Sequence, residues 1–153
     1  MQKALFNLVG RIRDAREREF RYLRKYTSDA AREYLDSQIV WIAGIECGDP
    51  PVLYETALRL RDGDGLPQHR PTARTWFERA GDHGVPEGYY AAARMEFEES
   101  DAPVNRIMGE YFLKNAARKE FAGAQRDLGM RLIEAGPKYG GAHQGYHWLL
   151  QPR

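Results

Sequence analysis

Three groups of side chains in this sequence have types and spacings suited to chemistry. Asp62, Asp64 and Gly65 stand as in the opening of a calcium loop, where alternating carboxylates supply hard oxygen ligands and glycine makes the turn. Such a loop needs a glutamate at its twelfth position, and counted from Asp62 that position is Ala73. A plain glycine turn is the better account. His143 and His147 are spaced i,i+4 and would face one ion from a helix, as zinc-ligand pairs do. No glutamate completes a His-Glu-x-x-His arrangement and no third ligand stands nearby, so they read as surface or packing residues. Glu96, Glu98, Glu99 and Asp101 form an acidic cluster, expected to be a solvated helix end. Serine, Cys47 and histidine form no nucleophile motif, and no glycine loop is followed by Lys-Ser/Thr. The expectation is a protein that is not an enzyme and carries no metal or cofactor.

Composition bounds the rest. The 153 residues are enough for one continuous core, and 42% hydrophobic with 29% charged residues is ordinary for a folded globular chain. Twenty-three basic and 22 acidic residues leave a net charge of +1, so no global field points to nucleic acid. Arginine far outnumbers lysine, which suggests a GC-rich bacterial genome. A single cysteine, Cys47, excludes a disulfide framework. The apolar run from Ala4 to Val9 is too short for a signal peptide or a membrane span, so a cytoplasmic location is expected. Residues 2–25 hold eight basic and three acidic side chains, and a basic amphipathic helix there can bind nucleic acid or a membrane surface. Asp14–Arg18 and Glu17–Arg21 are spaced i,i+4, however, and such pairs neutralise a solvated face.

The elements are helices throughout. Leu5, Leu8, Val9, Ile12, Ala15, Phe20 and Leu23 recur at helical spacing, and Ser28 or Asp29 can cap a second helix running from Ala30 to about Cys47. Gly48-Asp-Pro-Pro stops it. Helices are then expected over 52–61, 71–83, 87–99, 104–119, 123–134 and 142–150, separated by glycine and proline turns. No alternating segment is long enough for a strand. Shifting the sequence against itself by 36 residues aligns Ala73 with Gly109 and Gly145, Trp76 with Phe112 and Trp148, and Ala80 with Ala116. A fixed period in this range marks stacked supersecondary units.

The stretch Gly63, Gly65, Leu66, Pro67, Ala73, Trp76, Phe77, Ala80, Gly81 and Gly84, with Leu128-Gly129 and Ala116-Ala117, resembles the Sel-1-like repeat family, a relative of the tetratricopeptide repeats. The resemblance covers residues 50–150 and implies an all-α solenoid of about three stacked antiparallel helix pairs. Residues 1–49 are expected to form an N-terminal helical pair capping that region, the whole being one continuous domain. The chain departs from the family pattern in its second pair: it lacks a glycine loop, and Glu96 stands where an aromatic or leucine is usual.

In such stacks the first helix of each pair lines a concave surface. In the 36-residue register Tyr54, Tyr90 and Arg126 share one position, Leu58, Arg94 and Met130 a second, and Arg61, Phe97 and Ile133 a third. Tyr54, Arg61, Tyr90, Arg94, Phe97, Arg126 and Met130 are therefore the expected partner-binding residues, of types enriched at protein interfaces. The resemblance implies a non-enzymatic protein-binding module. A small leaderless chain of this kind is expected to be an antidote to a toxin domain, with an adaptor role as the alternative. Trp148, Leu149 and Leu150 at the chain end are a candidate homodimer face.

Overall fold

A computed structural model describes residues 11, 13, 14, 17, 18, 21, 40–137 and 141–151. The chain divides into two compact units, 1–53 and 54–153. In the first, the described residues between Arg11 and Arg21 are helical, as are residues 40–47. Asp14 does not pair with Arg18 as the spacing suggests. Its carboxylate lies 3.6 Å from the Arg13 guanidinium, which also reaches Glu46 at 3.5 Å, and Arg18 Nε donates instead to the Asp14 carbonyl. Trp41 and Ile45 are buried. The apolar stripe expected along 2–25, the caps Ser28 and Asp29, the start of the helix at Ala30, and the turn residues Lys138 to Gly140 lie outside the described residues.

Six helices follow: α1 (Pro50–Asp62), α2 (Arg70–Asp82), α3 (Pro86–Glu99), α4 (Pro103–Arg118), α5 (Ala122–Ala135) and α6 (Gly141–Leu149). There is no strand among the described residues. Each helix agrees with its expected span to within two residues, and the residual is chemical. Pro50, Pro86 and Pro103 open helices rather than merely ending the previous ones, since a first-turn position needs no N–H and already favours φ near −65°. At α2 the cap is His69, whose Nδ1 accepts from the Thr72 amide at 3.2 Å. Between α4 and α5 the stop is made by Glu120 at φ 63°, the one non-glycine residue in the left-handed region among those described. Glycine usually holds that position.

The 36-residue register is a packing register. Thr56, Ala92 and Leu128 are buried at one position, and Ala57, Ala93 and Gly129 at the next. On the second helices Ala73, Gly109 and Gly145 are buried beside Trp76 and Phe112. Small residues sit at this row because helices cross there at close range. A methyl group on Gly145 would lie 2.7 Å from the Gly129 carbonyl oxygen and 2.5 Å from Ile133, so α5 and α6 could not close. Gly88 is tighter still: its added Cβ would stand 2.2 Å from the Phe77 carbonyl oxygen, where α3 crosses α2.

Glu96 is not part of a solvated helix end. It is 2% exposed; Arg74 Nη1 of α2 donates to its Oε1 at 2.7 Å and Asn105 Nδ2 of α4 to its Oε2 at 2.9 Å. A carboxylate can occupy the position of an apolar residue only when both oxygens are satisfied, and here three helices meet to do so. Glu98 and Glu99 on the same turn remain more than half exposed, as expected for them. Tyr89, buried between α2 and α4, donates to Asp82 and lies 6.4 Å from the Phe112 ring. Burial holds its phenol well above the usual tyrosine range, and the bond to Asp82 pushes the same way.

Candidate partner-binding cleft

The first helices of the three pairs, α1, α3 and α5, are separated by two clefts. The larger, about 570 Å³, is lined by Tyr54, Arg61 and Asp62 of α1, Arg70 at the start of α2, Glu87, Tyr90, Ala91, Arg94, Met95 and Glu98 of α3, and Phe121. The smaller, about 210 Å³, is lined by Tyr90, Ala93, Arg94, Phe97 and Glu98 of α3, Leu113 of α4, and Asp127 and Arg131 of α5.

In the larger cleft Tyr54 leans on Phe77 of α2, ring centroids 5.6 Å apart, and Arg61 stands 5.9 Å over the same ring. Arg61 holds Asp62 in a two-point bond of 2.8 and 2.9 Å, which lowers the Asp62 carboxyl below its usual value. Across the cleft Glu98 is shared loosely by Arg94 at 3.4 Å and Arg70 at 3.9 Å. These pairs are solvated and worth little to the fold. The formal charges of the lining, three arginines against Asp62, Glu87 and Glu98, balance. Burial raises the Tyr54 phenol, and nearby Glu87 adds to it.

The smaller cleft is crossed by side chains. Tyr90 donates to Asp127 Oδ2 at 2.7 Å while its ring packs 5.1 Å from Phe121, and Arg131 lies 3.6 Å over the Phe97 ring. Burial, followed by the bond to Asp127, raises the Tyr90 phenol. The residues at the matching register positions of α3, facing the larger cleft, are Ala91 and Met95. Neither can bond across, and that gap stays open.

Of the residues expected from sequence, Tyr54, Arg61, Tyr90 and Arg94 come together in the larger cleft, and Tyr90, Arg94 and Phe97 in the smaller. Arg126 and Met130 line neither. They occupy the α5 positions that correspond to Tyr90 and Arg94, the flank that would face a following pair, and are exposed there. Sequence reasoning missed Arg70, Glu87, Glu98 and Phe121 in the lining, together with Asp127 and Arg131. The last two carried a signal: each replaces an apolar residue 36 positions earlier. His143 and His147 are exposed on α6, His147 Nε2 lying 3.1 Å from Gln151 Nε2, and among the described residues no three metal-ligating side chains cluster. No helix among those described is long and apolar enough to cross a membrane.

The sequence matches no protein-family model and no curated protein. Its architecture does have counterparts among solved structures. A Sel1 repeat protein from Oxalobacter formigenes superposes with a TM-score of 0.61 at 22% identity, over 73% of this chain and 84% of that one. A protective antigen of uropathogenic Escherichia coli displaying the SLR fold superposes with a TM-score of 0.58 at 24% identity, over 70% of this chain and 23% of the other. Stacked helix pairs at a 36-residue period, with small residues at every crossing, are thus the Sel1-like repeat fold, an α-solenoid.

Proposed function

We propose that this Sel1-like repeat stack is a protein-binding module, and that the 570 Å³ cleft between α1 and α3 holds its partner. The observation that carries the reading is the juxtaposition of Tyr54 and Tyr90 with Arg61 and Arg94 in a groove that none of the described residues fills. Tyrosine offers a large rigid face with a polar tip, and arginine a planar donor fork, so both give much binding energy for little conformational entropy. The loose Arg94–Glu98 pair leaves the Arg94 fork available, while the Arg61 fork is held by Asp62 at the cleft wall.

The test is affinity capture with tagged protein from the native host, comparing wild type with the Arg61→Ala, Arg94→Ala double variant. Tyr90 is better changed to Phe than to Ala, because its ring also packs on Phe121. A single stoichiometric protein is expected with wild type, weakened at least about tenfold in the double variant at unchanged helicity. Undiminished capture would sink the groove assignment. The finer form of the reading, an antidote, gains support when the captured protein carries a toxic or enzymatic domain, and the adaptor form when several proteins are captured. Nucleic acid or lipid released at high salt would instead implicate the basic segment 2–25.

A further inference from the structure

We propose that the outward face of α4 is a self-association surface, occupied by the same face of a second copy in antiparallel orientation. A helix on the outside of a stack ordinarily turns a charged face to water. On α4 that face instead presents Val104, Ile107, Met108 and Tyr111, exposed by 65, 67, 38 and 52%. Their spacing of i, i+3, i+4 and i+7 gathers them into one stripe, opposite the side that buries Gly109, Phe112, Leu113 and Ala116. Four large apolar residues in a row make a continuous patch, which is how association surfaces differ from the scattered exposed apolar residues of any protein.

The charges at its ends choose the occupant. Asp101 precedes the stripe, while Lys114 and Arg118 follow it, and none of the three forms an ion pair among the described residues. A two-fold axis passing between Ile107 and Met108 sets residue n of one copy level with residue 215 − n of the other. Val104 then meets Tyr111, and Asp101 meets Lys114, each twice. The acidic end of each stripe thereby lies on the basic end of its mate, with the helix dipoles opposed. A parallel arrangement would oppose like charges. One patch whose apolar middle and charged ends are both satisfied by its own reversed image is what an isologous dimer requires.

Sedimentation velocity of the full chain over a wide concentration range tests this. Wild type is expected to show a reversible monomer–dimer equilibrium, and Ile107→Glu to weaken it roughly 100-fold, since two apolar contacts are lost per dimer. Both stripes are solvent-facing in the monomer, so helicity should not change. Asp101→Lys and Lys114→Glu are each expected to weaken the dimer about tenfold, and the variant carrying both to recover it, because reversal restores the complementary ends. A wild type that stays monomeric throughout overturns the proposal. So does a dimer that survives Ile107→Glu but dissociates with Leu150→Glu, which would move the interface to the chain end where Tyr146 and Leu150 are exposed. Failure of the doubly reversed variant to recover, with both single variants weakened, rejects the antiparallel arrangement.

Discussion

The two clefts between the first helices share a backbone register and differ in what crosses them. Between α3 and α5, Asp127 and Arg131 reach over to Tyr90 and Phe97, and about 210 Å³ remains. Between α1 and α3 the matching residues are Ala91 and Met95, Tyr54 and Arg61 turn back to Phe77, and about 570 Å³ stays open. In a repeat stack the scaffold sets the distance between units, and the side chain at one recurring position decides whether the gap becomes core or binding site. One junction is stapled and the other is kept free.

The largest effect should come from breaking the crossing that positions the open cleft. Gly88→Ala forces a methyl group against the Phe77 carbonyl and is expected to destabilise the fold by about 3 kcal/mol, read as a drop in the thermal midpoint by circular dichroism. Next is the buried clasp. Glu96→Ala leaves a cavity and unpairs Asn105, an expected loss of about 2 kcal/mol in urea unfolding. Glu96→Leu should cost somewhat less, because leucine fills the cavity, although Arg74 and Asn105 lose the same acceptor in both variants. If leucine were as harmful as alanine, the clasp would matter for its charge and not its volume.

Asp127→Ala removes the staple, for about 1 kcal/mol, and should bring the Tyr90 phenol titration down towards the usual range in an ultraviolet pH titration. A related pH dependence is expected of the whole fold. Tyr54, Tyr89 and Tyr90 all have raised folded-state values, so above about pH 10 the unfolded chain releases phenolic protons that the native state retains. The tyrosine contribution to stability is therefore fully present below about pH 10 and falls as pH rises beyond it, the opposite sign to a salt-bridged carboxylate such as Asp62. The smallest effect on stability, below about 0.5 kcal/mol, is expected for Arg94→Ala, an exposed side chain with one loose pair. Its effect on partner capture should be the most visible of the series.

Much of the architecture was legible because close helix crossings demand small residues, and Ala73, Gly109 and Gly145 recur at one spacing. Four of the seven expected partner-binding residues fell into the open cleft for the same reason, since the register fixes which flank of each first helix looks along the stack. Glu96 was misread because its partners are tertiary: Arg74 lies 22 residues away and Asn105 nine, and neither spacing belongs to a local pattern. The acid itself, placed where the repeat pattern calls for an apolar side chain, was the one hint that partners must exist. Arg70 was not singled out and Glu98 was read only as part of the acidic cluster, because both enter the cleft from helix ends, where periodicity carries no information about direction.

Glu96 also has a mechanical consequence. Helix pairs in a solenoid touch mainly their neighbours, so a pull on one is usually relayed by side chains sliding over one another. At Glu96 a single carboxylate grips α2, α3 and α4 together, and α3 is the wall shared by both clefts. A partner that levers open the larger cleft would therefore strain a rivet rather than a sliding joint, and the stack should flex as two stiff links instead of bending smoothly along its length.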